Sequence, residues 1–245
     1  APKSEAGSEI QLSVGDVLRQ KKSWILICNF GAFQFVINAC MGSMVAWFTH
    51  LCMSNLDKVT AGPMGGMFEG MGGLQGAGAM ALFVGQATKW LSLGVLIGIG
   101  MSFIFGVIDD KLGTPVASLI LGITEFFPVI GLMMQAKTVA ETGACNVPML
   151  VLWGFGVACM TGGVPTMHPA SVSFMFGRRE YQSANRVIMA IQLIPSAIAA
   201  MMMTILIDQG MGTVGYGILL AVVVFGIITT IPMLKMKDAN AEDRG

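Results

Sequence analysis

The chain predicts an all-α membrane protein with six transmembrane helices, and three observations predict it. Hydrophobic residues make up 54% of the 245 and charged residues 11%, against about a quarter charged in a soluble domain. The mean hydropathy is correspondingly high, at +0.73. Six stretches of about 19 to 30 residues are almost free of charge, and short charged segments separate them. Each stretch is continuously apolar, whereas barrel strands alternate over about ten residues; only a helix satisfies such a backbone in lipid.

A helix crossing the roughly 30 Å hydrocarbon core needs about 20 apolar residues. Residues 1–22 precede the first such run. They are polar at first, then amphipathic through Ile10, Leu12, Val14, Val17 and Leu18, and end on Arg19, Lys21 and Lys22, as a cytoplasmic linker would. The first crossing is expected at 24–49. Residues 52–86 are rich in Gly and Met, including Gly65, Gly66, Met64, Met67, Met71, Gly72 and Gly73, with little periodicity. An external loop is the expectation there, with a re-entrant segment as the alternative because 77–84 is apolar. The remaining crossings fall at 90–108, 115–135, 147–173, 187–207 and 212–234, inside a transmembrane domain of 23–235, and 236–245 reads as a cytoplasmic tail. Gly94, Gly98, Gly100, Gly154 and Gly156 suit close helix packing in lipid, and Pro128, Pro165, Pro169 and Pro195 favour kinks.

The zero net charge conceals an asymmetry. With the N-terminus in the cytoplasm, eleven of the fourteen basic residues, from Lys3 to Arg244, lie inside and only Lys58, Lys89 and Lys137 outside. The protein is therefore expected in a cell inner or plasma membrane, with both termini in the cytoplasm. Cys28, Cys40, Cys52, Cys145 and Cys159 show no metal-ligand or redox spacing, so neither a metal nor a cofactor is expected. The chain begins with Ala and carries no signal peptide before its first span, so it reads as part of a longer or processed protein.

Residues 106–113 read Gly-Val-Ile-Asp-Asp-Lys-Leu-Gly. With Gly106, Asp110, Lys111 and Gly113 in place, this resembles the loop between the second and third helices of a major facilitator half. Combined with the six spans, the resemblance covers nearly the whole chain as a C-terminal half, and implies a three-plus-three inverted repeat. A second stretch, Thr161-Gly-Gly-Val-Pro-Thr-Met-His-Pro-Ala170 followed by Phe176-Gly-Arg-Arg-Glu-Tyr181 and Ala184-Asn185, is similar to the tenth-helix region of the oxalate:formate antiporter and monocarboxylate transporter group. That group carries cations where this chain has Ser102 and Gln192, so this half lacks the usual partners of an oxalate-type dianion. The resemblance implies a secondary transporter half that works by alternating access, coupled to an ion gradient or exchange. A small organic anion such as a monocarboxylate would be its substrate.

The polar interruptions of the spans are the candidate site. Gln34 and Asn38 are four apart and share a helix face with Phe30. They would hydrogen-bond substrate or, alternatively, a neighbouring helix; Asn29, Thr161 and Gln192 are candidates of the same kind. His168 lies between Pro165 and Pro169 and could titrate near neutrality in contact with substrate. Glu125 lies near the middle of the third span, where an acid costs on the order of 2.5–3.5 kcal/mol to insert. It reads either as a proton-coupling carboxyl or as a buried structural acid. Asp110 and Lys111, with Arg178 and Arg179, suit cytoplasmic gating contacts or merely solvated loop charges.

No catalytic residues are expected. The zinc-protease, Walker-type and dinucleotide motifs are absent, as are a Gly-x-Ser-Gly nucleophile and paired Asn-Pro-Ala caps. The alternatives to a transporter half are a non-transporting membrane subunit or scaffold, or a channel-like protein. The partners implied are lipid, an N-terminal six-helix half, a small solute and a proton, with no nucleic acid.

Overall fold

Glycine marks where several helices of this chain stop, and the bilayer bounds how long their apolar parts run. The computed structural model describes residues 12–70 and 74–240. Lys3, Ile10, Met71, Gly72, Gly73, Arg244 and the rest of 1–11 and 241–245 lie outside the described residues. Among the described residues the chain is almost entirely helical and holds no strand. Five helical stretches are long and apolar enough to cross a bilayer: Lys21–Gly42, Gln75–Leu112, Thr114–Thr142, Val147–Asp208 and Gly212–Lys235. The chain is a membrane protein of the all-α class.

Helix α1 (Val14–Arg19) opens on a reciprocal cap, in which Ser13 and Asp16 each bond the other's backbone N–H. The bond from the Ser13 hydroxyl also holds the exposed Asp16 carboxyl below its usual range. Helix α2 (Lys21–Gly42) passes through Ser43, where φ is −92° and ψ 0°, into α3 (Met44–Ser54). The Ser43 hydroxyl donates to Ala39 O, occupying a carbonyl at the break. The Gly/Met-rich stretch 52–86 differs from the expected loop. Short helices α4 (Leu56–Ala61) and α5 (Pro63–Gly66) follow α3, and α6 (Gln75–Leu112) already begins at residue 75. Glycine disfavours helices, but packing offsets this at 75–86: Ala79 and Phe83 are fully buried, and the Phe83 ring lies 5.3 Å from that of Phe48 in α3. At 38 residues and 1.5 Å per residue, α6 is about 57 Å long and overshoots the hydrocarbon core. Lys89, grouped above with loop charges, lies inside this helix.

Helices α7 (Thr114–Thr124) and α8 (Phe126–Thr142) are divided only by Glu125. Helix α9 (Val147–Asp208) has one non-helical residue, Gly177, with φ 72° and ψ 169°. Only glycine occupies that region cheaply. The loop expected at 174–186 is thus helical except at this hinge. Pro165, Pro169 and Pro195 sit within helical backbone, and the break in α9 falls at Gly177 instead. Helix α10 (Gly212–Thr230) ends in a 3-10 turn, Ile231–Lys235. The described tail then folds back on the hinge. Asn240 Nδ2 donates to Ser173 O at 2.9 Å, Ala239 N to Phe174 O at 2.9 Å, and Arg178 N to Asn240 Oδ1 at 3.0 Å. These bonds satisfy backbone groups that the break in α9 orphans.

Small residues set which helices touch. The 147–176 half of α9 packs on α6, where a Cβ on Gly94 would lie 2.5 Å from Gly154 O and one on Gly98 would overlap Thr161. Ser102 bonds Gly162 O across the same seam. That half also packs on α7 and α8, through Ser118 with Ser171 and through Gly131 against Trp153. Helix α2 packs on the other half, 178–208, where Gly42 faces Ala200, and on α10, where Gly226 faces Phe33. Exchanging α2 with 147–176, α6 with 178–208, and α7–α8 with α10 turns each of these pairings into another.

Candidate functional site

The polar side chains of the spans fall into separate groups. Near the end of α2 next to Lys22, three elements meet. The His168 ring packs edge-on against Phe30, with centroids 5.1 Å apart, and Gln192 lies within interaction range of the ring. Gln192 Nε2 donates to Leu26 O at 3.0 Å, which ties 178–208 to α2. His168 is 7% exposed and its Nε2 has no hydrogen-bond partner among the described residues. An unpartnered ring nitrogen at a junction of three helical segments can accept or donate a bond to something that enters there.

One turn and more along α2, Asn38 Nδ2 donates to Ser196 Oγ at 2.7 Å and to the carbonyl of Gln34 at 2.8 Å, with the Gln34 side-chain oxygen at 3.3 Å. Both residues are half-buried. Ser196 was not singled out from sequence, although it stands four residues after Gln192 and therefore on the same helix face. The i, i+4 rule could have found it.

Asn29 belongs to neither group. It is fully buried, and its Nδ2 donates to Gly226 O and Thr230 Oγ1, each at 2.7 Å, clasping α2 to α10. Thr161 turns its hydroxyl back to Val157 O at 2.8 Å, and its side chain fills the notch left by Gly98. Both geometries are those of helix packing.

Glu125 is fully buried at the α7–α8 junction, and neither carboxylate oxygen has a hydrogen-bond partner among the described residues. Cys40 of α2 lies within electrostatic range of it, and Tyr216 of α10 within range of Cys40. The Tyr216 hydroxyl is likewise buried without a partner. The Thr114–Thr142 stretch that carries Glu125 is among the more buried of the five. This acid is therefore remote from lipid, and no hydrogen bond from the described residues stabilises its charge.

The two glycine turns are built differently. Gly113 closes α6 with φ 85° and ψ 154°, and its N–H donates to Asp109 O at 2.8 Å. Asp110 and Lys111 are exposed beside it, and Gly106 sits one turn earlier with open space around it. At Gly177, Lys22 of α2 reaches over the turn. Its ammonium donates to Met175 O at 3.1 Å, lies 4.0 Å from the centre of the Phe176 ring, and is 3.7 Å from Glu180. Arg178 and Arg179 are exposed on the same turn. Sequence reasoning placed Lys22 only as a topology charge, because nothing along the chain shows a contact spanning more than 150 residues.

Among the described residues no cluster of His, Cys, Asp or Glu could hold a metal ion. Comparison with protein families, with curated proteins and with solved structures finds no match for this chain.

Proposed function

We propose that the chain is the C-terminal six-crossing half of a secondary transporter of the major facilitator type. It would carry a small organic anion, with a monocarboxylate as the first class to test, by alternating access against an N-terminal half. In this reading the hinge at Gly177 divides Val147–Asp208 into two crossings, and α2 with α3 forms the first of six. Both termini and the turns at Gly113 and Gly177 face the cytoplasm, where the positive-inside rule puts most of the basic residues.

The observation that carries the reading is the exchange of helix pairings described above. An inverted repeat of three helices generates such paired contacts, because the first and fourth, second and fifth, and third and sixth helices are equivalents. The residue pattern of Gly106, Asp110, Lys111 and Gly113 adds a resemblance that is independent of packing. The substrate would meet the half where α2 and 147–176 approach, at Phe30, His168 and Gln192, with Gln34, Asn38 and Ser196 further along. Glu125 would couple transport to a proton by biasing one conformation when it ionises.

The test is uptake into proteoliposomes. The purified chain, reconstituted with an N-terminal six-helix half, should accumulate labelled lactate or formate under an imposed proton gradient or by counterflow; without that half it should not. Absence of transport with both halves present would leave a supporting membrane subunit as the better reading.

A further inference from the structure

At the end of α8 remote from Gly113, the protein holds a half-open cavity of about 530 Å³ that none of the roles above uses. This volume lies in the range of about 300–1,000 Å³ usual for small-molecule sites. Its floor is aromatic. The rings of Trp47 and Tyr216 meet edge-on with centroids 4.9 Å apart, and Leu51 and Met133 supply apolar wall. The polar side of the cavity is cationic or neutral. Lys137 and His50 line it, and among the described residues no acidic one does. His50 is stacked near Trp47 and shares a hydrogen bond of 3.2 Å with Ser54, which fixes the ring. Lys137 has Glu141 at 3.9 Å, but both side chains are more than half exposed, so water screens that pair and the ammonium is free to turn toward the cavity.

We propose that this cavity is a binding site for an amphiphilic anion, with a carboxylate or phosphate head at Lys137 and His50 and an apolar body against Trp47 and Tyr216. A bare inorganic anion would leave the aromatic floor and apolar wall uncovered, and a neutral apolar solute would make no use of the ammonium. The site is formed by α3, α8 and the start of α10, and shares no residue with the His168 and Gln192 group, so it stands whether or not the chain transports anything. Gly212 keeps the site in shape. A Cβ there would overlap the Trp47 ring and force it to move.

The experiment uses the whole chain in phosphatidylcholine nanodiscs, titrated with 4-phenylbutyrate and followed by tryptophan fluorescence. 4-Phenylbutyramide and phenyltrimethylammonium are the controls. The carboxylate should bind saturably and the amide and the cation at least tenfold more weakly. Lys137→Gln, an exposed change, should weaken binding about fivefold, the size of one partly screened ion pair of about 1 kcal/mol. Gly212→Ala should weaken it without altering charge, provided its melting curve matches the parent. In phosphatidylglycerol nanodiscs, competition with the probe assigns the head group to lipid, and unchanged binding assigns it to a soluble carboxylate; both support the site. Absence of saturation, equal affinity for the amide or the cation, or no effect of Lys137→Gln would overturn it.

Discussion

Glu125 and Asn29 are both fully buried polar residues in apolar spans, and they differ in what meets them. Asn29 bonds a backbone carbonyl and a hydroxyl of α10, whereas Glu125 has no hydrogen-bond partner among the described residues. Interhelical hydrogen bonds in membranes are worth about 0.6 kcal/mol on average and up to about 1.7. Asn29→Ala should therefore lower stability by roughly 1 kcal/mol, seen as an earlier thermal unfolding transition in detergent. Glu125→Gln removes an ionisable group and no hydrogen bond, so its melting temperature should equal or exceed that of the parent. In the transport reading the same substitution flattens the pH dependence of accumulation while exchange persists. An unchanged pH profile would exclude the coupling role and leave Glu125 structural. Nothing in the local sequence separates these two polar residues, since the partners of Asn29 lie about 200 positions away.

Two of the breaks between helical segments fall where the backbone enters a region that only glycine occupies cheaply. Gly113 and Gly177 have φ 85° and 72° with ψ near extended values, a combination that costs other residues about 1–3 kcal/mol. Gly113→Ala and Gly177→Ala should each destabilise the protein by that order, whereas Gly106→Ala, helical and in open space, should be neutral in the same unfolding assay. Gly113 was visible in sequence because it closes a recognisable loop pattern. Gly177 was visible too, in the Phe176-Gly-Arg-Arg stretch, but the arginines after it read as loop when they in fact begin a helix. The long start of α6 escaped for a related reason. Glycine propensity argues against a helix at 75–86, but tertiary contacts that local sequence does not show, Phe83 against Phe48 of α3 among them, override it. A bulky change at the α6–α9 seam tests the packing account: Gly98→Leu would drive a side chain into Thr161 and should cost more than Gly100→Leu, which points into open space. Paired melting curves would show the difference.

The whole molecule leaves large apolar faces uncovered. Leu96, Ile99 and Phe103 on α6, and Leu193, Ile194 and Met201 on 178–208, are all well exposed. Lipid covers such faces, and in the transporter reading the second half would cover part of them. The charge asymmetry makes a prediction at the same scale. Gln209→Cys should react with an impermeant maleimide added outside intact cells, and Asp110→Cys only after permeabilisation; the reverse pattern would invert the topology.

The sequence by itself determined that this chain is helical and lies in a membrane, because charge depletion over some twenty residues at a time has no other stable outcome in lipid. It also located the long apolar helices and singled out Glu125 as an isolated acid. Only the tertiary structure decided which polar residues share a site. Asn29 went to α10, Asn38 found Ser196, His168 met Phe30, and Trp47, His50, Lys137 and Tyr216 gathered around a cavity. Helical periodicity gives the face on which a side chain lies. The partner of that face depends on glycine seams between segments far apart in the chain, and local sequence does not encode that pairing.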